Sequence, residues 1–250
     1  MTAQPKLRPP TYADIEALPP HLRGEIVEGV LEVTPRPAPK HALATVRVGS
    51  DLDNPYGRGR GGPGGWWILN EPELHLGPDI LVPDLAGWRR ERLPELPDTA
   101  WFELETRPGT PTEVREAEAA EVDVARRKRA GALDGERRRD RLDRSTHRQS
   151  GFLVESRAPD WVCEVLSPST ARTDRVKKMR VYARERIPWV WLVDPIARYV
   201  ETYRLEGDEY SLSGDFGDDE YLRAEPFDAV AFDLLPWWGE TRETEPDQKR

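Results

Sequence analysis

Residues 159–194 read PDWVCEVLSPSTARTDRVKKMRVYARERIPWVWLVD, and the fold turns on how that run divides. Trp161–Leu166 is a short apolar stretch of the length and composition of a buried strand. The Ser- and Pro-containing segment after it is a turn, an amphipathic helix follows, and Trp189–Asp194 is a second apolar strand. Glu164 does not fit this scheme, because it stands in the middle of the first strand. Burying its charge costs several kcal/mol unless something compensates it. A site is to be sought around that residue.

The helix offers a compensating charge. Asp174, Lys178 and Tyr182 are spaced by four and share one stripe, while Val176, Met179, Ala183 and Ile187 form the stripe expected to be buried. An exposed Asp174–Lys178 ion pair, worth about a few tenths of a kcal/mol, is the alternative use of the same spacing.

Working outward, residues 1–10 are a polar, proline-rich arm. Thr11 and Asp14 are the N-cap and N3 residues of a short helix stopped by Pro19 and Pro20. Glu25–Val33 reads as a hairpin turning at Glu28-Gly29. Pro35, Pro37 and Pro39 stiffen the path into a helix over about Lys40–Leu52. Arg58–Gly65 is glycine-rich but lacks the Gly-Lys-Ser/Thr ending of a phosphate-binding loop, so it reads as a flexible connection, with a nucleotide cradle as the alternative. Trp66–Leu69 and Asp79–Trp88 are expected to be neighbouring strands, the second ended or interrupted by Asp84. Downstream, Arg198–Leu205 and Glu209–Ser213 form a hairpin, Tyr221–Phe232 contributes a further strand, and a polar tail starts at about Gly239. Helices mixed with strands around one strand–helix–strand unit predict a single mixed α/β (α+β) domain over 1–238.

Between about 105 and 157 the composition changes. Within Arg126–Arg148 ten Lys/Arg stand against four Asp/Glu, and so little apolar surface cannot drive folding alone. These 53 residues are expected to be a flexible insertion, with a nucleic-acid-binding arm as the alternative. The chain as a whole has 250 residues, 37% hydrophobic, with a net charge of −9, which excludes a generally basic nucleic-acid coat but leaves room for a local one. The lone cysteine, Cys163, excludes an internal disulfide and is expected to be a buried, inert thiol in a reducing compartment. No apolar run approaches membrane-spanning length and no signal-like segment opens the chain, so a cytoplasmic location is expected.

Two carboxylates on different strands, Asp84 and Glu164, can converge on one divalent metal. Hard oxygen ligands suit Mg²⁺, which commonly takes only one or two protein carboxylates. Such an ion assists phosphodiester hydrolysis, which also needs a nearby cation such as Lys178. Val-Pro-Asp84, Pro-Asp-Trp-Val-Cys-Glu164-Val-Leu-Ser-Pro-Ser-Thr170, the trio Asp174, Lys178 and Tyr182, and Trp-Leu-Val-Asp-Pro195 together resemble the Uma-type family of putative restriction endonucleases, within the PD-(D/E)XK nuclease superfamily. Gly-Glu25-Ile-Val-Glu-Gly29, His41 and the terminal hairpin extend the resemblance over about 1–104 and 158–238.

The resemblance implies a restriction-endonuclease-like fold, a twisted mixed β-sheet flanked by helices with extra hairpins. It also implies Mg²⁺- or Mn²⁺-dependent cleavage of DNA, with Asp84 and Glu164 as metal ligands and DNA as partner; a homodimer is a candidate assembly. The superfamily lysine two residues after the glutamate is replaced by Leu166, and Lys178 matches the helical lysine thought to take over in this family. Removing the 53 residues of the insertion brings Asp84 and Glu164 from 80 to 27 positions apart, nearer the family's spacing. Glu25 is either a further carboxylate near the metal or a hairpin-surface residue. His41 either assists proton transfer and phosphate binding or makes a structural hydrogen bond. His21, His75 and His147 show no ligand-like spacing. Two other classes compete: an inactive nuclease-like DNA-binding module, and metal-free hydrolysis by paired carboxylates as in glycosidases.

Overall fold

In the computed structural model, residues 8–104 and 158–242 are described. Along the chain, α1 (Tyr12–Glu16) precedes the hairpin β1 (Leu22–Val27) and β2 (Val30–Pro35), followed by α2 (Pro39–Leu52). Next come β3 (Trp66–Asn70), β4 (Leu74–Leu76), β5 (Asp79–Leu81), β6 (Leu85–Arg89) and β7 (Phe102–Leu104). The second part holds β8 (Trp161–Val165), a π-helical segment Thr173–Lys178 continuing into α3 (Met179–Arg184), β9 (Trp189–Asp194), β10 (Tyr199–Glu206), β11 (Glu209–Gly217), β12 (Tyr221–Leu222) and β13 (Phe232–Asp233). The fold is mixed α+β, as expected. The chain divides into Met1–Glu105 with Glu155–Arg250, whose described part is compact, and Thr106–Val154. The second, and with it the expected flexible insertion, lies outside the described residues.

The local chemistry accounts for most of these elements. The Thr11 N–H donates to the Asp14 carboxylate at 2.7 Å and the Asp14 N–H to the Thr11 carbonyl at 2.9 Å, which closes the first turn of α1. The β1–β2 turn has positive φ at both Glu28 and Gly29, the two-residue geometry that matches strand twist. Pro39 opens α2, where a missing N–H is harmless, and Ala44, Val48 and Leu52 then bury one face at intervals of four.

Six strands form the main sheet in the order β11-β10-β9-β8-β6-β3. Only β8 and β9 run parallel there, joined by the helix between them, so the strand–helix–strand reading of 159–194 holds. Alternation along β8 then sorts the core. Trp161, Cys163 and Val165 face a cluster with Trp191, Val193, Phe227 and the buried side of α2. Val162 and Leu166 face the other, with Val181, Tyr182, Val190 and Leu192. Trp161 meets Trp191 and Phe227 edge-on at ring separations of 5.3 and 5.0 Å, a favoured aromatic geometry. Each such buried side chain is worth about 1.5–3 kcal/mol, so the sheet is anchored from both faces. Glu164 shares the parity of Val162 and Leu166.

Three sequence expectations need correction. Asp79–Trp88 is not one strand: it breaks at Val82-Pro83-Asp84, where proline has no N–H for the ladder. Its first half, β5, joins a second sheet of order β2-β1-β5-β4-β7, and only β6 neighbours β3. Tyr221–Phe232 is likewise no single strand. A turn closed by the Phe227 N–H on the Ala224 carbonyl separates β12 from β13, which pair with each other. Finally, the glycine-rich segment is a connection, as read, but the cradle held as its alternative falls, because the segment is tied to the turn before it. Its Arg60 and Gly64 N–H groups donate to the Asn54 and Pro55 carbonyls at 2.8 Å, so these amides are not turned toward a phosphate. Among the described residues no helix is long and apolar enough to cross a membrane.

Candidate active site

The break after β5 positions Asp84. Freed from a regular ladder, its side chain reaches across to β8, where Oδ2 accepts the Val165 N–H at 2.8 Å. His41, in the first turn of α2, brings Nε2 to 3.2 Å from the same oxygen. The Thr45 hydroxyl donates to the His41 carbonyl at 3.0 Å, one turn further along.

Glu164, one residue before Val165, is 2% exposed. The Tyr182 hydroxyl donates to its Oε1. Lys178 Nζ lies 3.3 Å from that oxygen, 3.3 Å from Asp174 Oδ1 and 2.9 Å from Glu25 Oε2. Glu25 reaches in from β1, and its other oxygen accepts the Val82 N–H at 2.7 Å. Asp174 and Lys178 sit on the π-helical segment, a widened helical turn of a kind frequent at functional sites.

The expected apolar stripe holds at Ala183 and Ile187, which are buried, and at Met179, which packs against the core, but Val176 is exposed. Asp174, Lys178 and Tyr182 are buried as well. The exposed ion pair read as the alternative is therefore wrong. Apolar pattern alone missed this second buried stripe because Glu164 gives it something to pair with inside the fold. Leu166 packs into the core beside Tyr182, so the only ammonium touching Glu164 among the described residues comes from the helix.

The charges do not balance. Burial pushes the Glu164 carboxyl well above the usual carboxylate range; Asp174, Asp84 and Glu25 add to this and Lys178 opposes it. Burial also raises Glu25 and Asp174, again against the pull of Lys178. Burial alone would lower the lysine, yet Glu164, Glu25 and Asp174 hold it well above its ordinary value, so it stays an ammonium. Burial and the Glu164 charge keep Tyr182 a neutral hydroxyl donor. The Cys163 thiol is fully buried and pushed up by burial and by Asp84 and Glu164, which fits the inert thiol expected there.

Glu25, His41, Asp84, Glu164, Asp174 and Lys178 all line one cavity of about 560 Å³. The sequence-derived candidates are thus brought together, with Tyr182 behind Glu164. Ser167 and Thr170 join them unanticipated: their hydroxyls lie 3.0 Å apart on the β8–helix turn, and Thr170 also hydrogen-bonds Asp174. Their signal was the Ser-Pro-Ser-Thr run itself, read only as a turn. His75 pairs with Glu73 at 2.7 Å and stacks on Trp101, away from Asp84 and Glu164; His147 lies outside the described residues. Among the described residues no group of three or more His, Cys, Asp or Glu side chains is arranged to hold a metal together. The oxygen set facing the cavity suits an ion that takes one or two carboxylates and keeps its waters.

No curated protein sequence matches the chain significantly. A solved structure described as a putative nuclease belonging to DUF820, from Anabaena variabilis ATCC 29413, matches with a TM-score of 0.57 at 18% identity, covering 92% of this chain and 98% of that one. At that identity the likeness concerns the fold. Residues 136–235 match the family model of Uma2, described as a putative restriction endonuclease, the family that the motifs around Glu164 resemble.

Proposed function

We propose that this protein is a Mg²⁺- or Mn²⁺-dependent DNA endonuclease that hydrolyses phosphodiester bonds, with Asp84 and Glu164 holding the metal. The observation that carries the reading is the charge deficit in the cavity: Glu25, Glu164 and Asp174 crowd one ammonium, Lys178, and Asp84 lines the same cavity. A divalent cation beside Asp84 and Glu164 would relieve that repulsion, polarise a phosphoryl oxygen and lower the pKa of a water.

The chain's own residues take the remaining roles. Lys178 offers a fixed positive charge toward the anionic centre, in place of the lysine that Leu166 lacks. Glu25 and Asp174 hold its ammonium in position. Tyr182 orients Glu164, and His41 orients Asp84 while remaining within reach of a proton on the cavity side. The inactive DNA-binding alternative draws on Leu166, which is buried in apolar surroundings.

Titration calorimetry with Mn²⁺, alongside nicking of plasmid DNA, tests the proposal. Wild type is expected to bind the ion and nick; Asp84→Ala and Glu164→Ala are expected to lose both. Equal Mn²⁺ binding by wild type and Glu164→Ala removes the metal site. Metal binding with no cleavage of any DNA leaves the inactive module.

A further inference from the structure

We infer that the cavity admits an unpaired DNA strand, such as a single strand or a flap, and not an intact duplex. This rests on the nuclease reading for the identity of the polymer and goes beyond it in substrate form.

The first ground is depth. Glu164 and Lys178 are 2% and 4% exposed and form the floor of the cavity, so a phosphate must descend to reach them. Three separate pieces of chain rise around that floor: Leu18–Pro20 after α1, Thr34–Ala38 between β2 and α2, and Ser167–Thr170 after β8. Within about 560 Å³ there is room on the scale of a small ligand, for which pockets run about 300–1,000 Å³. One nucleotide and its phosphates suit that scale.

The walls are also tied to each other. Arg36 donates to the Pro20 carbonyl at 2.8 Å, joining the first two walls. Arg23 on β1 pairs with Glu71 in the β3–β4 connection. Leu18 lies so close to Gly24 that a Cβ there would come within 2.5 Å of it, which seats the loop after α1 directly on β1. Widening the mouth for a duplex would break these contacts together.

Charge points the same way. Six carboxylates line the cavity against Arg23, Arg36 and Lys178, and Arg23 is already engaged by Glu71. A duplex brings one negative charge per about 1.7 Å of axis, a single strand about half that density. Even with a divalent cation in place this lining keeps more negative than positive charge, which penalises the duplex more. The hydroxyls of Ser167, Ser169 and Thr170 offer neutral donors at the rim for a lone backbone.

The test uses the full chain and one labelled oligonucleotide prepared as single strand, blunt duplex and flapped duplex. Anisotropy in Ca²⁺ is expected to show the single strand and flap bound at least about tenfold more tightly than the blunt duplex. Ser169 is exposed at the rim, so Ser169→Trp narrows the mouth without disturbing the core. It is expected to weaken single-strand binding about tenfold with an unchanged circular dichroism spectrum. Equal or tighter binding of blunt duplex, or no effect of Ser169→Trp, overturns the inference. Cleavage in Mn²⁺ separates the two claims. Blunt duplex cut as fast as single strand overturns the inference and leaves the nuclease reading intact. Preferential single-strand binding with no cleavage supports the inference and overturns the nuclease reading.

Discussion

Two buried acids, Asp160 just before β8 and Glu164 within it, are solved in opposite ways. Asp160, 3% exposed, has its charge matched: Arg92 meets one oxygen at 2.6 Å and the Arg89 N–H meets the other at 2.8 Å. Its own N–H donates to the Gly87 carbonyl, so the residue fastens the start of β8 to β6. Glu164, four residues on and 2% exposed, shares one lysine with Glu25 and Asp174 and lies near Asp84. Burial of a carboxylate is therefore not what marks a site. The mark is a buried carboxylate left without enough positive charge at a cavity that Glu164 lines.

The largest expected effect breaks the comparison at Glu164. Glu164→Gln keeps the shape of the side chain and removes one of the crowded charges. Cleavage is expected to fall about 10³-fold, while metal-free stability stays level or rises, because a buried charge that is under-compensated is replaced by a neutral group. Thermal melts and plasmid nicking on the same preparation check both. A marked loss of melting temperature would mean that Glu164 is an anchor like Asp160.

Asp160→Ala should do the reverse. It removes the carboxylate that Arg92 and the Arg89 N–H share, and is expected to cost about 3 kcal/mol, the lower end for a broken buried pair since Arg92 is 29% exposed and also donates to the Ala158 carbonyl. Denaturant melts read the loss; the cleavage rate per folded molecule should remain within about threefold of wild type, under 1 kcal/mol by the tenfold-per-1.4 conversion. An Asp160→Ala protein that folds normally but no longer cuts would move the site toward Arg92.

Lys178→Gln sharpens the contrast further, because a site lysine and a structural lysine respond differently. Loss of the ammonium is expected to lower cleavage about 10²-fold. Affinity for Mn²⁺ in calorimetry should meanwhile stay level or increase, since a competing positive charge has gone. Parallel loss of both, with a collapsed circular dichroism spectrum, would make Lys178 a structural partner only.

Much of this was legible in the sequence, and the failures have a common cause. The β8–helix–β9 unit, the β1–β2 turn at Glu28-Gly29 and α2 followed from local pattern, because each is specified by residues close together in the chain. Asp84 and Glu164 stood out as carboxylates in apolar runs. Local pattern could not show that the run 79–88 divides between two sheets, since each half reads as an adequate strand and only its partners differ. Nor could it show that the polar stripe of the helix is buried too. Val176 reads as a core residue and Asp174 and Lys178 as a surface pair until Glu164, Glu25 and Asp84, distant in the chain, are known to lie near Asp174 and Lys178. Leu74–Leu76 and Phe102–Leu104 escaped notice as strands because three residues are too few to show a period, although their parallel pairing holds the edge of the second sheet.

The smallest expected effect concerns how Glu164 is aimed. Tyr182 is fully buried, its ring packed with Leu166 and Val181 and its hydroxyl on Glu164 Oε1. Tyr182→Phe keeps the packing and removes one donor to a carboxylate that already lacks partners. A hydrogen bond to a charged group is worth about 1.5–3 kcal/mol, but the Lys178 ammonium beside the same oxygen should absorb part of the loss. Cleavage is expected to drop about tenfold, with the larger share in kcat because the hydroxyl orients a site residue and does not touch substrate. Asp160 has no such orienting partner on a helix, since Arg92 and a backbone N–H fix it from β6 and the turn after it. An unchanged kcat in Tyr182→Phe would place Glu164 in the same class as Asp160, held by its surroundings and indifferent to a single donor.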